Sequence, residues 1–340
     1  MTFRIKFAKY GVVRYIGHLD VMRYFQKVIR RSGLPVTYSQ GFSPHQLMSF
    51  ALPLSVGVTS DGEYMEVEFD EDKLVKEVEQ GKMQAGMSEG TSEGTSDRRL
   101  AGMQTEMSEG TSEGRSIGAQ DDIKHLLEKY IFDGLSSNTT EGFAILGVKQ
   151  LPKPEPNKHV DKAMALVSAA DYLISVKDGY EDCVGFKSQD EFMRAFEKFI
   201  GQETIEVTKK TKKNEKQLNL KEFIYGYGDE NGFLVGDEVA QKKKIENGAE
   251  KGTVDEIVNG AANDTTHVER VSGGTAHARR FANGMQLALR IAAGSVVNIK
   301  PEMVLEAFLE SLGREFDKNA FAMHRMELYL GEPGSFRALI

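Results

Sequence analysis

Phe3, Ile5 and Phe7 alternate with Arg4 and Lys6, the period-two pattern of a strand with one buried face, and predict a strand over 3–8. From His18 the period changes. Leu19, Met22, Phe25, Val28 and Ile29 recur at helical spacing and predict a helix over 18–31 with those five as its buried stripe. Gly33 and Pro35 stop it. Strands follow near 35–39 and 63–69. Ile123, Leu126, Leu127, Tyr130 and Ile131 then mark one apolar face of a helix over 121–131, and a strand over 143–149 ends the half. The second half reads strand 171–176, helix 189–200, strands 204–208 and 285–291, helix 302–312 and strand 324–330. Ser188 and Glu191 form a capping box for its first helix, and Pro301 suits the first turn of its last. Each half is βαββαβ, so the expected fold class is α+β: two tandem ferredoxin-like domains.

Two stretches interrupt the pattern. Residues 84–120 are rich in Gly, Ser, Thr and Glu, and Met87–Gly94 recurs twenty residues later as Met107–Gly114. Two copies without an apolar face cannot bury a core, so a flexible insertion is expected. Residues 229–283, rich in Asn, Gly and Thr, have the same character. Pro152, Pro154 and Pro156 mark a stiff linker over 152–162 between domains 1–151 and 163–340.

Charge changes the picture. The chain is −8 overall, but the two insertions carry that excess, −3 over 84–120 and −5 over 229–272. Residues 1–50 hold eight Lys or Arg against Asp20 alone, a net +7, which points to an anionic partner. No apolar run approaches the ~18 residues of a membrane span, and the alternating start is unlike a secretory signal. Cys183 is the single cysteine, so no disulfide closes within the chain, and no membrane and a cytoplasmic location are expected.

The candidate chemistry lies mainly in the first fifty residues. Arg23, Lys27, Arg30 and Arg31 line the side of the first helix opposite its apolar stripe, a row suited to nucleic-acid phosphates. An ordinary solvated helix face accounts for the row equally well. In Tyr38-Ser39-Gln40-Gly41-Phe42-Ser43-Pro44-His45, Gly41 and Pro44 predict a loop. Tyr38 and Phe42 are candidates to stack on bases, and Ser43 and His45 to bond a phosphate or a base edge. The alternative is a loop whose Phe42 plugs the core. His18 and His45 are candidate catalysts for metal-independent RNA cleavage. With Asp20 they lack a recognised ligand spacing, so no metal is expected. Lys209, Lys210, Lys212 and Lys213 surround Thr208 and Thr211 in a basic run that reads as a hairpin tip. Arg4 and Lys6 are expected to pair with Glu66 and Glu68 across the sheet, which argues against base stacking on that face. Cys183, flanked by Asp182 and Val184, reads as a bystander.

Several segments together resemble the radical SAM-linked proteins, a domain of uncharacterised function fused to radical SAM proteins or encoded beside them. The resemblance rests on Phe3–Phe7, Tyr15-Ile16-Gly17-His18-Leu19-Asp20, Gly33-Leu34-Pro35, Tyr38–His45, Leu52–Val58, Thr211-Lys212-Lys213, Arg290–Gly294 and His324-Arg325. It implies a separate radical SAM protein as partner and brings no established reaction. The chain is not itself such an enzyme, since a cluster needs three cysteine ligands and only Cys183 exists. No cofactor is expected. Three readings stay open: an accessory protein that presents structured RNA, tRNA or rRNA, to a radical SAM enzyme; a ribonuclease using His18 or His45; and a protein-interaction subunit that touches no RNA.

Overall fold

The computed structural model describes residues 1–88, 112–153, 162–210, 215–229, 232–235 and 284–340. The fold is mixed α+β, dominated by one large sheet. In chain order the first half contains β1 (Thr2–Lys9), α1 (His18–Ser32), β2 (Met48–Phe50), β3 (Thr59–Glu68), α2 (Glu71–Ser88), α3 (Ser112–Ser136) and β4 (Phe143–Gln150). The second contains α4 (Ala163–Leu166), β5 (Val167–Val176), α5 (Glu181–Val184), α6 (Gln189–Ile200), β6 (Glu206–Lys210), β7 (Glu215–Asn219), β8 (Ile224–Asp229) and β9 (Gly232–Val235). It ends with β10 (Gln286–Ala292), a helix over Pro301–Ser311 that we number α7, β11 (Phe321–Leu330) and β12 (Arg337–Ala338). No helix among the described residues is long and apolar enough to cross a membrane.

The sheet runs β4-β1-β3-β11-β5-β10-β8-β9, with β2 on β3 and β12 on β11. Within each half neighbouring strands are antiparallel. The halves meet edge to edge through a short parallel pairing, His324 opposite Thr59 and Arg325 opposite Ser60. At this seam the strands approach so closely that a Cβ on Gly62 would lie 2.6 Å from the Glu327 Cα.

The apolar face of β1 lies where its pattern predicts, but the strand is not half-buried, since Arg4 on the other face is buried too. Phe3, Ile5 and Phe7 are fully buried beneath α1, whose Val21, Phe25, Val28 and Ile29 meet them with Phe143 of β4 in one core. The Phe7 and Phe25 rings lie 4.5 Å apart, close enough for direct aromatic contact. α1 stops on Gly33 in the left-handed conformation, φ 73°, where glycine has no Cβ penalty. A second core, rich in Phe186, Phe192, Phe196, Phe199 and Phe308, lies between α6, α7 and the second half of the sheet.

Several expectations are corrected. Leu19 is not part of the buried stripe; it is 60% exposed, and Val21 takes its place. On α3 the buried face is Leu127, Ile131 and Leu135, while Ile123 and Tyr130 are exposed and the Tyr130 hydroxyl donates to Glu77 of α2. No strand forms over 35–39. Val36 and Tyr38 make only single bridges, because β2 and β11 occupy the free edge of β3. The strand expected near 204–208 exists as β6, but it pairs with β7 in a separate hairpin, and β8 stands beside β10 instead. Helix continues through 88 and resumes at 112, so the predicted insertion loses both its ends; 89–111 lie outside the described residues. So do 230–231 and 236–283 of the second insertion and 154–161 of the linker, while the described start of the second insertion is strand.

Candidate functional site

Seven of the eight early cations fall into two groups, while Arg14 stands apart in the turn over Gly11–Tyr15. Arg4, Lys6 and Lys9 sit on β1; Arg4 and Lys6 pair with carboxylates far along the chain, and Lys9 donates to nearby backbone carbonyls. The Arg4 guanidinium donates to Glu66 at 2.8 and 3.1 Å and to the Leu339 carbonyl at 2.9 Å, and both side chains are buried. Lys6 pairs with Glu327 of β11, not with Glu68 as expected. The reason is the seam: β11 brings Glu327 beside Tyr64, the residue opposite Lys6, and the Tyr64 hydroxyl also donates to Glu327. Lys9 is 2% exposed and donates to the Ile16 carbonyl at 3.0 Å. Burial lowers its pKa, while Glu63 opposes that shift. The net +7 therefore overstates the charge that a ligand would meet.

Arg23, Lys27, Arg30 and Arg31 form the second group. All four are exposed on α1. Arg23 makes a surface pair with Asp20 at 3.2 Å, and Arg31 donates to the Asn138 carbonyl at 2.8 Å. Lys27 and Arg30 have no ion pair among the described residues.

The 38–45 loop lies alongside. Its exit is fastened to α1 by Gln46, buried, whose Nε2 donates to the Gln26 carbonyl at 3.3 Å. Its neck is closed by a clasp: Ser39 N donates to the His45 carbonyl at 2.8 Å, His45 N to Ser39 Oγ at 3.1 Å, and Ser39 Oγ lies 2.8 Å from His45 Nδ1. Gly41 takes φ 117°, a conformation that side chains disfavour. At the tip Phe42 is wholly exposed, and Tyr38 is 43% exposed. Phe42 therefore does not plug the core. Ser43 and His45 are exposed beside it.

His18 does not join this loop. Its ring packs edge-on against Phe50, centroids 5.1 Å apart, and burial, with Lys9 second, lowers its pKa. The two histidines thus take separate partners, His18 a phenyl ring and His45 a serine. In the second half, Lys209 and Lys210 lie on β6 opposite Lys216 and Glu215. Lys212 and Lys213 fall between β6 and β7 in sequence and lie outside the described residues. The hairpin is rooted in the second core through Ile205 and Leu220. Sequence reasoning missed the Ser39–His45 clasp. A hydroxyl and an imidazole six residues apart across a Gly-Phe tip are the local signal for it.

A family model described as an uncharacterized protein conserved in bacteria (DUF2344) matches residues 2–96 and 116–254. No curated protein matches the chain.

Proposed function

The chain belongs to this family of uncharacterized proteins conserved in bacteria, and from that premise we propose that it is an RNA-binding accessory protein serving a separate radical SAM enzyme. The carrying observation is Phe42: a phenyl ring left wholly in solvent at the tip of a clasped loop, next to a helix with four exposed cations. Leaving such a ring in water forgoes about 1.5–3 kcal/mol of burial. A base stacked on it recovers part of that while the cations hold phosphates. In this reading Tyr38 and Phe42 stack bases, Ser43 and His45 bond the backbone or base edges, and Arg23, Lys27, Arg30 and Arg31 take phosphates. Lys209, Lys210, Lys212 and Lys213 add a second clamp from the hairpin. Each half is read as a ferredoxin-like unit, supported by the strand orders β4-β1-β3-β2 and β11-β5-β10-β8. That arrangement makes the seam the place where the two units become one platform.

The test is crosslinking in cells, followed by sequencing of the recovered RNA, for wild type and for a variant with Arg23, Lys27, Arg30 and Arg31 all changed to Glu. The expected result is a defined RNA that disappears in the variant and weakens in Phe42→Ala. Equal recovery from wild type and variant would remove α1 from the interface. A second reading, a subunit that binds only protein, is favoured by Val12, 81% exposed in the turn over Gly11–Tyr15, and Leu19, 60% exposed at the start of α1. Co-purification of a radical SAM enzyme free of nucleic acid would select it.

A further inference from the structure

Away from α1 and the 38–45 loop, a half-open cavity of about 300 Å³ lies at the seam. It is built by four segments distant in sequence. The turn over Gly11–Tyr15 contributes Arg14 and Tyr15, the residue after β5 is Lys177, the turn before β11 contributes Lys318, and the stretch before β3 contributes Val56. Val56 forms part of the wall, and Thr59 lines it at the β3–β11 junction, its Oγ1 2.9 Å from His324 Nδ1. None of the lining residues is acidic.

The walls are fixed in place. The Arg14 carbonyl accepts from Gly57 N at 2.8 Å, Lys177 N donates to the Ala320 carbonyl at 2.8 Å, and Lys177 Nζ donates to the Asn319 carbonyl at 2.8 Å. Lys318 pairs with Glu302 at 3.3 Å. Arg14 and Lys177 have no carboxylate partner among the described residues. The Arg14 guanidinium lies 4.8 Å from the centroid of the Tyr15 ring and bonds its hydroxyl at 2.9 Å, yet that ring is still 61% exposed. Val56 is 51% exposed. An apolar and aromatic wall thus stands beside three cations, in a space within the lower range of small-molecule sites.

We propose that this cavity binds a nucleoside monophosphate, with the phosphate among Arg14, Lys177 and Lys318 and the base against Tyr15 and Val56. A monophosphate matches the chemistry on both sides. Its dianion satisfies Arg14 and Lys177, which lack carboxylates, and draws on Lys318, which shares its charge with Glu302, and its flat base covers an exposed ring. Because the cations come from both halves, the bound nucleotide would bridge the seam. None of these residues belongs to the RNA face, so the two proposals stand or fall separately.

Isothermal titration of the full chain with AMP, GMP, CMP and UMP tests this, with adenosine and inorganic phosphate as half-ligands. At least one nucleotide is expected to bind with a Kd below about 1 mM, and each half-ligand at least about tenfold more weakly. Lys177→Glu, at an exposed position whose side chain holds only a surface carbonyl, should weaken the nucleotide at least about tenfold with an unchanged thermal melt. Tyr15→Ala should remove the preference for nucleotide over inorganic phosphate. Absence of nucleotide binding at about 1 mM, or equal affinity in wild type, Lys177→Glu and Arg14→Glu, would overturn the proposal.

Discussion

Arg325 and Arg30 are the same residue type in opposite circumstances. Arg325 is 1% exposed, paired with Glu63 across the seam and donating to the Leu52 carbonyl at 2.8 Å. Arg30 stands in solvent on α1. Arg290 resembles the first: it grips Asp171 at 2.8 and 2.9 Å beneath the Tyr329 ring, and the Tyr329 hydroxyl donates to the same carboxylate. A strand that lies between two others has a carboxylate supplied to it by its neighbours, whereas a helix at the surface does not. Burial therefore sorts this protein's cations into those that hold the sheet together and those left in solvent.

The sharpest way to break that distinction is Arg325→Met. It leaves Glu63 buried beside Lys9 alone and should cost about 3–5 kcal/mol in urea melts, because an unpaired buried charge is strongly unfavourable. Adding Glu63→Leu should restore much of the loss, since a matched apolar pair avoids desolvating either charge. Lys27→Ala, by contrast, should stay within about 0.5 kcal/mol of wild type. A large loss in Lys27→Ala, or none in Arg325→Met, would dissolve the distinction.

Gly62→Ala attacks the seam without touching charge. A Cβ there would meet Glu327 backbone at 2.6 to 2.8 Å, and backbone cannot rotate away. About 1–3 kcal/mol of destabilisation is expected, as for overpacking generally. If the halves unfold independently, the same variant should also split the melt into two transitions, which circular dichroism would resolve.

The seam explains what the sequence hid. Local signals sufficed for β1, for α1 with its stop at Gly33, and for α6, where Ser188 Oγ accepts from Glu191 N as the capping pattern implies. Nothing local announces that β3 and β11, more than 250 residues apart, lie side by side. For that reason the sequence points Lys6 to Glu68 on the neighbouring strand, whereas its partner is Glu327. The candidate cations on α1 were legible because helical spacing places them on one face. Leu19 was misread for a related reason, since spacing alone does not say where the covering strands end. Phe42 could be assigned to a loop but not to solvent, and its exposure depends on a clasp between Ser39 and His45 that only the folded chain reveals.

If the α1 cations bind RNA, their effect should be electrostatic and salt-dependent. Titrating a recovered RNA from low to high salt should give a slope that flattens by about 0.7 for each cation removed, as for single strands. Lys27→Ala and Arg30→Ala should each show that change, and the four-Glu variant should keep at most the slope that the hairpin lysines supply. Arg290→Met, placed in a buried pair, should leave the slope unchanged in whatever protein remains folded.

The smallest effect belongs to His18, which stands between the two groups. Burial, with Lys9 as the second cause, holds its pKa below the usual 6.5. In the unfolded chain the imidazole takes up its proton through that ordinary value, while in the folded protein it stays neutral until lower pH. The unfolded state therefore binds more protons in the interval below 6.5, and stability should fall as the solution is acidified through it. The loss should level off once the folded imidazole also titrates. His18→Phe keeps an aromatic ring against Phe50 and removes the proton site, so its stability should be flatter over the same interval. Urea melts at pH 7 and at about pH 5.5, above the range of ordinary carboxylates, read the difference directly. A steeper loss in His18→Phe than in wild type would mean that the ring is charged in the folded protein and that Lys9 does not repel it.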